Sequence, residues 1–170
     1  PISKENWTKI YQAAEDREKA MILLMLNGAF GISEVIRLRW DDIENGAIVT
    51  NRHKKGLVIR ACYLLEETKA ALAKLPKSDG VILRNYQGDK FHRSGATEAF
   101  KKVCEAAKIE GVTGSHLRDG SQTAAAQGGV NEQLIKVLAG HQTGMSDHYI
   151  AVTPELTKSA VEAIHKYYFE

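Results

Sequence analysis

A chain of 170 residues suits a single domain with its own core, and 44% hydrophobic residues is ordinary for a globular protein. A formal charge of +2 is only mildly basic, so composition alone does not mark a nucleic-acid binder. The longest wholly apolar run, residues 20–26, is far short of the roughly 18 residues that cross a bilayer, which argues against a membrane-spanning helix.

In chain order, Ser3 caps a first helix to about residue 14, with Ile2, Trp7, Ile10 and Tyr11 available for its apolar face. Asp16 caps a second helix over 17–27. Its Met21-Ile22-Leu23-Leu24-Met25-Leu26 run is apolar nearly all round, which places it, methionines included, in the core. Gly28 ends it, and a short helix follows over 31–38. Residues 47–51 and 57–64 are rich in β-branched and apolar types and predict a hairpin, with Arg52-His53-Lys54-Lys55 at its tip. A helix is expected over 66–75, stopped by Pro76, then a third short strand over 81–86. Ser94 caps a helix over 95–108, and Thr153-Pro154 launches a last helix to about residue 168. The fold class is α+β, mainly α-helical with a small antiparallel three-stranded sheet.

Cys62 and Cys104 have neither metal-type spacing nor partners for a disulfide framework, and read as reduced residues of a cytoplasmic protein. The start at Pro1, without a methionine or a signal-like segment, suggests a fragment of a longer protein.

The chemistry concentrates in residues 114–150. Gly114-Ser115-His116-Leu117-Arg118-Asp119-Gly120 leads into a small-residue helix, Asn131 opens a second helix, and Gly140-His141 stops it. Met145-Ser146-Asp147-His148-Tyr149 comes next. The two helices can fold Arg118, the histidines and Tyr149 back onto one another. Arginine and histidine supply N–H donors for a phosphate, and tyrosine supplies an oxygen nucleophile. Neither a carboxylate pair nor a convincing metal set accompanies them. The pattern therefore suggests phosphoryl transfer without a metal ion. Each residue also has a plainer reading: Tyr149 packed at a helix end, Arg118 paired with Asp119 or Glu132, His141 as a helix cap.

Leu117-Arg118 at a helix start, Leu138-Ala139-Gly140-His141 closing the next helix, and Tyr149 eight residues later resemble the catalytic domain of the tyrosine recombinase (phage integrase) family. The resemblance covers most of the chain. It implies a catalytic set of Tyr149, Arg118, His141, Lys54 and His116. Tyr149 would form a 3′-phosphotyrosine link, Arg118 and His141 would hold the phosphate, and Lys54 on the hairpin (or Lys55) would be general acid for the leaving 5′ hydroxyl. It further implies double-stranded DNA as partner, no cofactor, a homo-oligomer on DNA joined through the C-terminal helix, and an N-terminal DNA-clamping domain absent from residues 1–170. Leu156, Ala160, Val161 and Ile164 form the apolar side available for that docking, or for packing on its own domain.

Two positions depart from the family pattern. In Gly28-Ala29-Phe30-Gly31-Ile32-Ser33-Glu34, Gly31 stands where the family has its first catalytic arginine, and Arg37, Arg39 or Arg60 are the candidates to replace it. Ser115 occupies the usual histidine position, with His116 beside it. The expected activity is site-specific DNA recombination or integration. The alternative is a degenerate domain that binds DNA or a partner recombinase without cutting. For DNA contact the expected residues are Arg52, His53, Lys55, Arg37, Arg39, Lys90 and Arg93.

Overall fold

The apolar run at residues 20–26 becomes the centre of the molecule. The computed structural model describes residues 1–54, 56–141 and 151–170, without the side chains of residues 52–57. Helix α2, Asp16–Gly28, is enclosed from Ala20 onward. A helix apolar on every side is stable only when neighbours cover every side. Here α4 (Glu66–Ala73), α5 (Arg93–Ala106), α6 (Gly114–Gln127), α8 (Lys158–Phe169) and strand β3 (Gly56–Tyr63) all pack on it. Ser121 Oγ donates 2.6 Å to Leu26 O, tying α6 to this axis.

Helix α1, Lys4–Ala13, begins where expected, its Asn6 N–H donating to Ser3 Oγ at 3.1 Å. Other starts move. The cap of α2 is Glu15, in extended backbone without a side-chain bond, so Asp16 is already helical. Helix α5 starts at Arg93, two residues before the position predicted from Ser94. Residues 154–157 form a turn, and α8 begins only at Lys158. The cause lies in Thr157, whose buried hydroxyl donates 2.7 Å to Ala61 O and anchors the turn to the sheet.

Helix α3 is a single turn, Ile32–Val35. Strand β2, Ala47–Lys54, pairs antiparallel with β3 from Ala47↔Tyr63 to Lys54↔Gly56. The hairpin therefore extends further than its apolar residues suggest, with Arg52, His53 and Lys54 inside β2; Lys55 lies outside the described residues. The third strand is β1, Ile43–Glu44, not residues 81–86. Asn45 and Gly46 both take positive φ, 51° and 74°, between the paired Glu44 and Ala47. That is the two-residue turn whose twist matches paired strands. Residues 81–86 instead contribute two isolated bridges, Arg39↔Val81 and Arg84↔Lys90.

Helix α8 uses its apolar side within the chain. Ala160, Val161 and Ile164 are buried, and Tyr168 donates 3.0 Å to Ile2 O while its ring meets Trp7 edge-on. The docking side expected for a neighbouring protomer is thus already covered, apart from the half-buried Leu156. Among the described residues no helix is long and apolar enough to cross a membrane.

Candidate active site

Residues from α3, α6 and β3 meet around one carboxylate. Glu34, in the single turn of α3, folds back so that its Oε2 accepts the Gly31 N–H at 2.8 Å. The same oxygen accepts from Arg118 Nη1 at 3.0 Å, and Oε1 accepts from Arg60 Nη1 at 2.5 Å. Arg118 lies on α6 and Arg60 on β3, so Glu34 joins residues far apart in sequence. The local partners available to Arg118, Asp119 and Glu132, are not the ones it takes.

Both guanidiniums also serve helix ends. Helix α7, Glu132–Ala139, stops at Gly140 in the left-handed region, φ 68°. Its last carbonyls accept from the two arginines: Leu138 O from Arg60 Nε at 2.8 Å, Ala139 O from Arg118 Nη2 at 2.6 Å. Arg60 Nη2 further donates to Gly28 O at 2.5 Å, at the end of α2, and its guanidinium lies 4.5 Å from the Phe30 ring centre. Each helix C-terminus carries roughly half a negative charge. Two such ends and one carboxylate offset two guanidiniums, which explains how Arg60 can sit 1% exposed.

This cluster forms the floor of an open cleft of about 690 Å³ between α3, the hairpin and the starts of α5 and α6. Among the described residues five arginines line it, Arg37, Arg39, Arg60, Arg93 and Arg118, against two carboxylates, Glu34 and Asp42. Arg37, Arg39 and Arg93 are exposed, and Thr50, Asn51 and Ser115 add neutral donors. The modest net charge of the chain is thus concentrated where an anion can enter.

The expected residues fall in different places. Arg118 stands in the cleft wall, half-buried. His141 is exposed at the end of α7, where its own N–H donates to Lys136 O at 2.9 Å. The Arg118–Ala139 bond therefore brings the helix end that carries His141 against Arg118. His116 is placed otherwise: its Nδ1 lies 3.0 Å from Thr113 N and 2.9 Å from Thr113 Oγ1, closing the N-terminal cap of α6. Ser115, not His116, lines the cleft. Lys90 stands outside the cleft wall, in the bridge to Arg84. Tyr149 lies outside the described residues, as do the side chains of Arg52, His53, Lys54 and Lys55.

Gly31 does stand in the cleft. Among the described residues, a Cβ there would meet Glu34 Oε2 at 3.4 Å and Arg118 Nη1 at 3.7 Å, and its φ of −80° suits any residue. None of the three candidate replacements occupies that point as a free donor group: Arg60 is committed beneath it, while Arg37 and Arg39 are exposed on the wall. Burial pushes the Cys62 thiol up to about 12, with Arg60 pulling weakly the other way, so this neighbour is no thiolate nucleophile. The structural roles of Glu34 and Arg60 were not assigned from sequence. The signal was an arginine alone inside the apolar strand Val58-Ile59-Arg60-Ala61-Cys62, where a buried charge requires partners.

The chain belongs to the phage integrase family, whose model matches residues 2–155. Its fold is that of the tyrosine recombinase catalytic domain. The integrase of mycobacterium phage Brujita superposes with a TM-score of 0.80 at 20% identity, over 96% of this chain and 57% of that one. The XerA recombinase gives 0.75 at 17%, over 99% and 63%. The lambda integrase catalytic core gives 0.68 at 18%, over 83% and 94%. The chain thus spans about three fifths of the first two and nearly all of the third. No curated protein sequence matches it significantly.

Proposed function

We propose that this domain holds a DNA backbone phosphate in the arginine cleft and presents it to Tyr149, cutting and rejoining strands through a 3′-phosphotyrosine link in site-specific recombination. The observation that carries this reading is Arg118, fixed in the wall of a cationic cleft against the helix end bearing His141. A planar guanidinium held in a fixed orientation is preorganised for the charge that develops on a phosphate under attack. Lys54, or Lys55, protonates the leaving 5′ oxygen, which departs as the hydroxyl. Arg37, Arg39 and Arg93 grip neighbouring phosphates, positioning the duplex without reading its sequence. Solved lambda integrase chains of this fold are bound to DNA, one of them as a tetramer on a Holliday junction. By that likeness the protein works as an oligomer on DNA.

A second reading, DNA binding without cutting, is favoured by one observation: glycine at position 31, with Arg60 turned inward rather than filling the gap. The test uses nicked duplexes bearing a target site selected from a random library. A covalent protein–DNA adduct, lost in Tyr149→Phe, supports the enzyme. Tight binding with no adduct in the unaltered protein supports the second reading and overturns the first.

A further inference from the structure

We propose that Arg60 is a positioning residue: it fixes the guanidinium of Arg118, and through it the grip on phosphate, without touching the DNA itself. This rests on the reading of the cleft as a phosphate site.

The two arginines share two anchors. Each donates to one oxygen of the Glu34 carboxylate, at 2.5 Å from Arg60 and 3.0 Å from Arg118. Each also donates to the last turn of α7, Arg60 to Leu138 O and Arg118 to the next carbonyl, Ala139 O. Two contacts made by Arg118 are thus to groups that Arg60 holds in place from the other side. Arg60 is itself fixed by Gly28 O and by the Phe30 face, and at 1% exposure it is too deep to meet a ligand in the cleft.

The fit is close. Gly140 abuts the stem of Arg60, where an added Cβ would lie 2.5 Å from Cδ, so strand β3 and the end of α7 are seated on one another through this side chain. A lysine would keep the charge and much of the stem. It has a single nitrogen, however, and cannot hold a carboxylate, an α7 carbonyl and an α2 carbonyl in three directions. Without that fork, Glu34 and the α7 end move independently and Arg118 loses its fixed orientation.

The experiment is a double-mutant cycle on binding of a fluorescein-labelled random-sequence duplex at fixed low salt. The variants are Arg118→Ala, Arg60→Lys and the pair. Arg60→Lys conserves charge, so a change in affinity is not a loss of general attraction. Expected is a roughly three- to tenfold weakening by Arg60→Lys in the native background and almost none once Arg118 is alanine, because coupled residues are not additive. Equal weakening in both backgrounds would mean a general structural role and would overturn the proposal. So would an unchanged affinity in Arg60→Lys where Arg118→Ala is weakened. If Arg118→Ala binds as tightly as the native chain, the phosphate-site reading fails, and the proposal falls with its premise. Glu34→Gln breaks the same bridge at its centre and must repeat the pattern, which settles the matter should Arg60→Lys not fold.

Discussion

The cleft has two kinds of arginine, and the contrast between floor and wall explains how the site is built. Arg60, on the floor, has given its donors to the protein: a carboxylate and the ends of α2 and α7. Arg37, Arg39 and Arg93, on the wall, stand in solvent. Arg118 lies between, half-buried and bonded to Glu34 and Ala139. A buried charge has large effects on stability because its partners cannot turn to water instead. An exposed one adds a small, salt-screened attraction. Precision at the phosphate therefore comes from the floor, and capture of the duplex from the wall.

That division can be broken from either side. The largest effect is expected for Arg60→Met, which leaves Glu34 and the helix-end carbonyls without their donor; a loss of about 3–5 kcal/mol should appear in urea unfolding. Next is Gly31→Arg, which the backbone at φ −80° accepts. If the missing donor limits the chemistry, the adduct should form about a hundred- to a thousandfold faster, corresponding to roughly 2.7–4 kcal/mol, as read from single-turnover cleavage of a nicked duplex. Gly140→Ala places a side chain at φ 68° against Arg60, and a destabilisation of about 2 kcal/mol should lower the melting temperature. Smallest are Arg37→Gln, Arg39→Gln and Arg93→Gln, each expected to reduce the slope of log affinity against log salt by about 1 with little change in stability.

Much of the fold was legible. The apolar run of α2 can be stable only in a core, and the Ser3 cap sits where its side chain accepts a backbone N–H. The third strand was missed although Asn45-Gly46 between apolar residues is a strong local hairpin signal; two strand residues are too few to show a period. The start of α8 was not legible, because the bond that sets it runs from Thr157 to Ala61. Of the site, the motif around Arg118 and His141 could be read from spacing. The partner of Arg118 could not: Glu34 lies 84 residues away and only the tertiary fold selects it over Asp119. His116 is the opposite case: its ring goes to its own helix cap, three residues away at Thr113, a purely local contact.

The most direct measurement is the structure of the protein on duplex DNA. Expected are a backbone phosphate within hydrogen-bonding distance of the Arg118 guanidinium, contacts from Arg37, Arg39 and Arg93 to flanking phosphates, and Arg60 still bonded to Glu34 and Leu138. A duplex seated away from this cleft, or Arg60 swung out onto the phosphate, would contradict this reading.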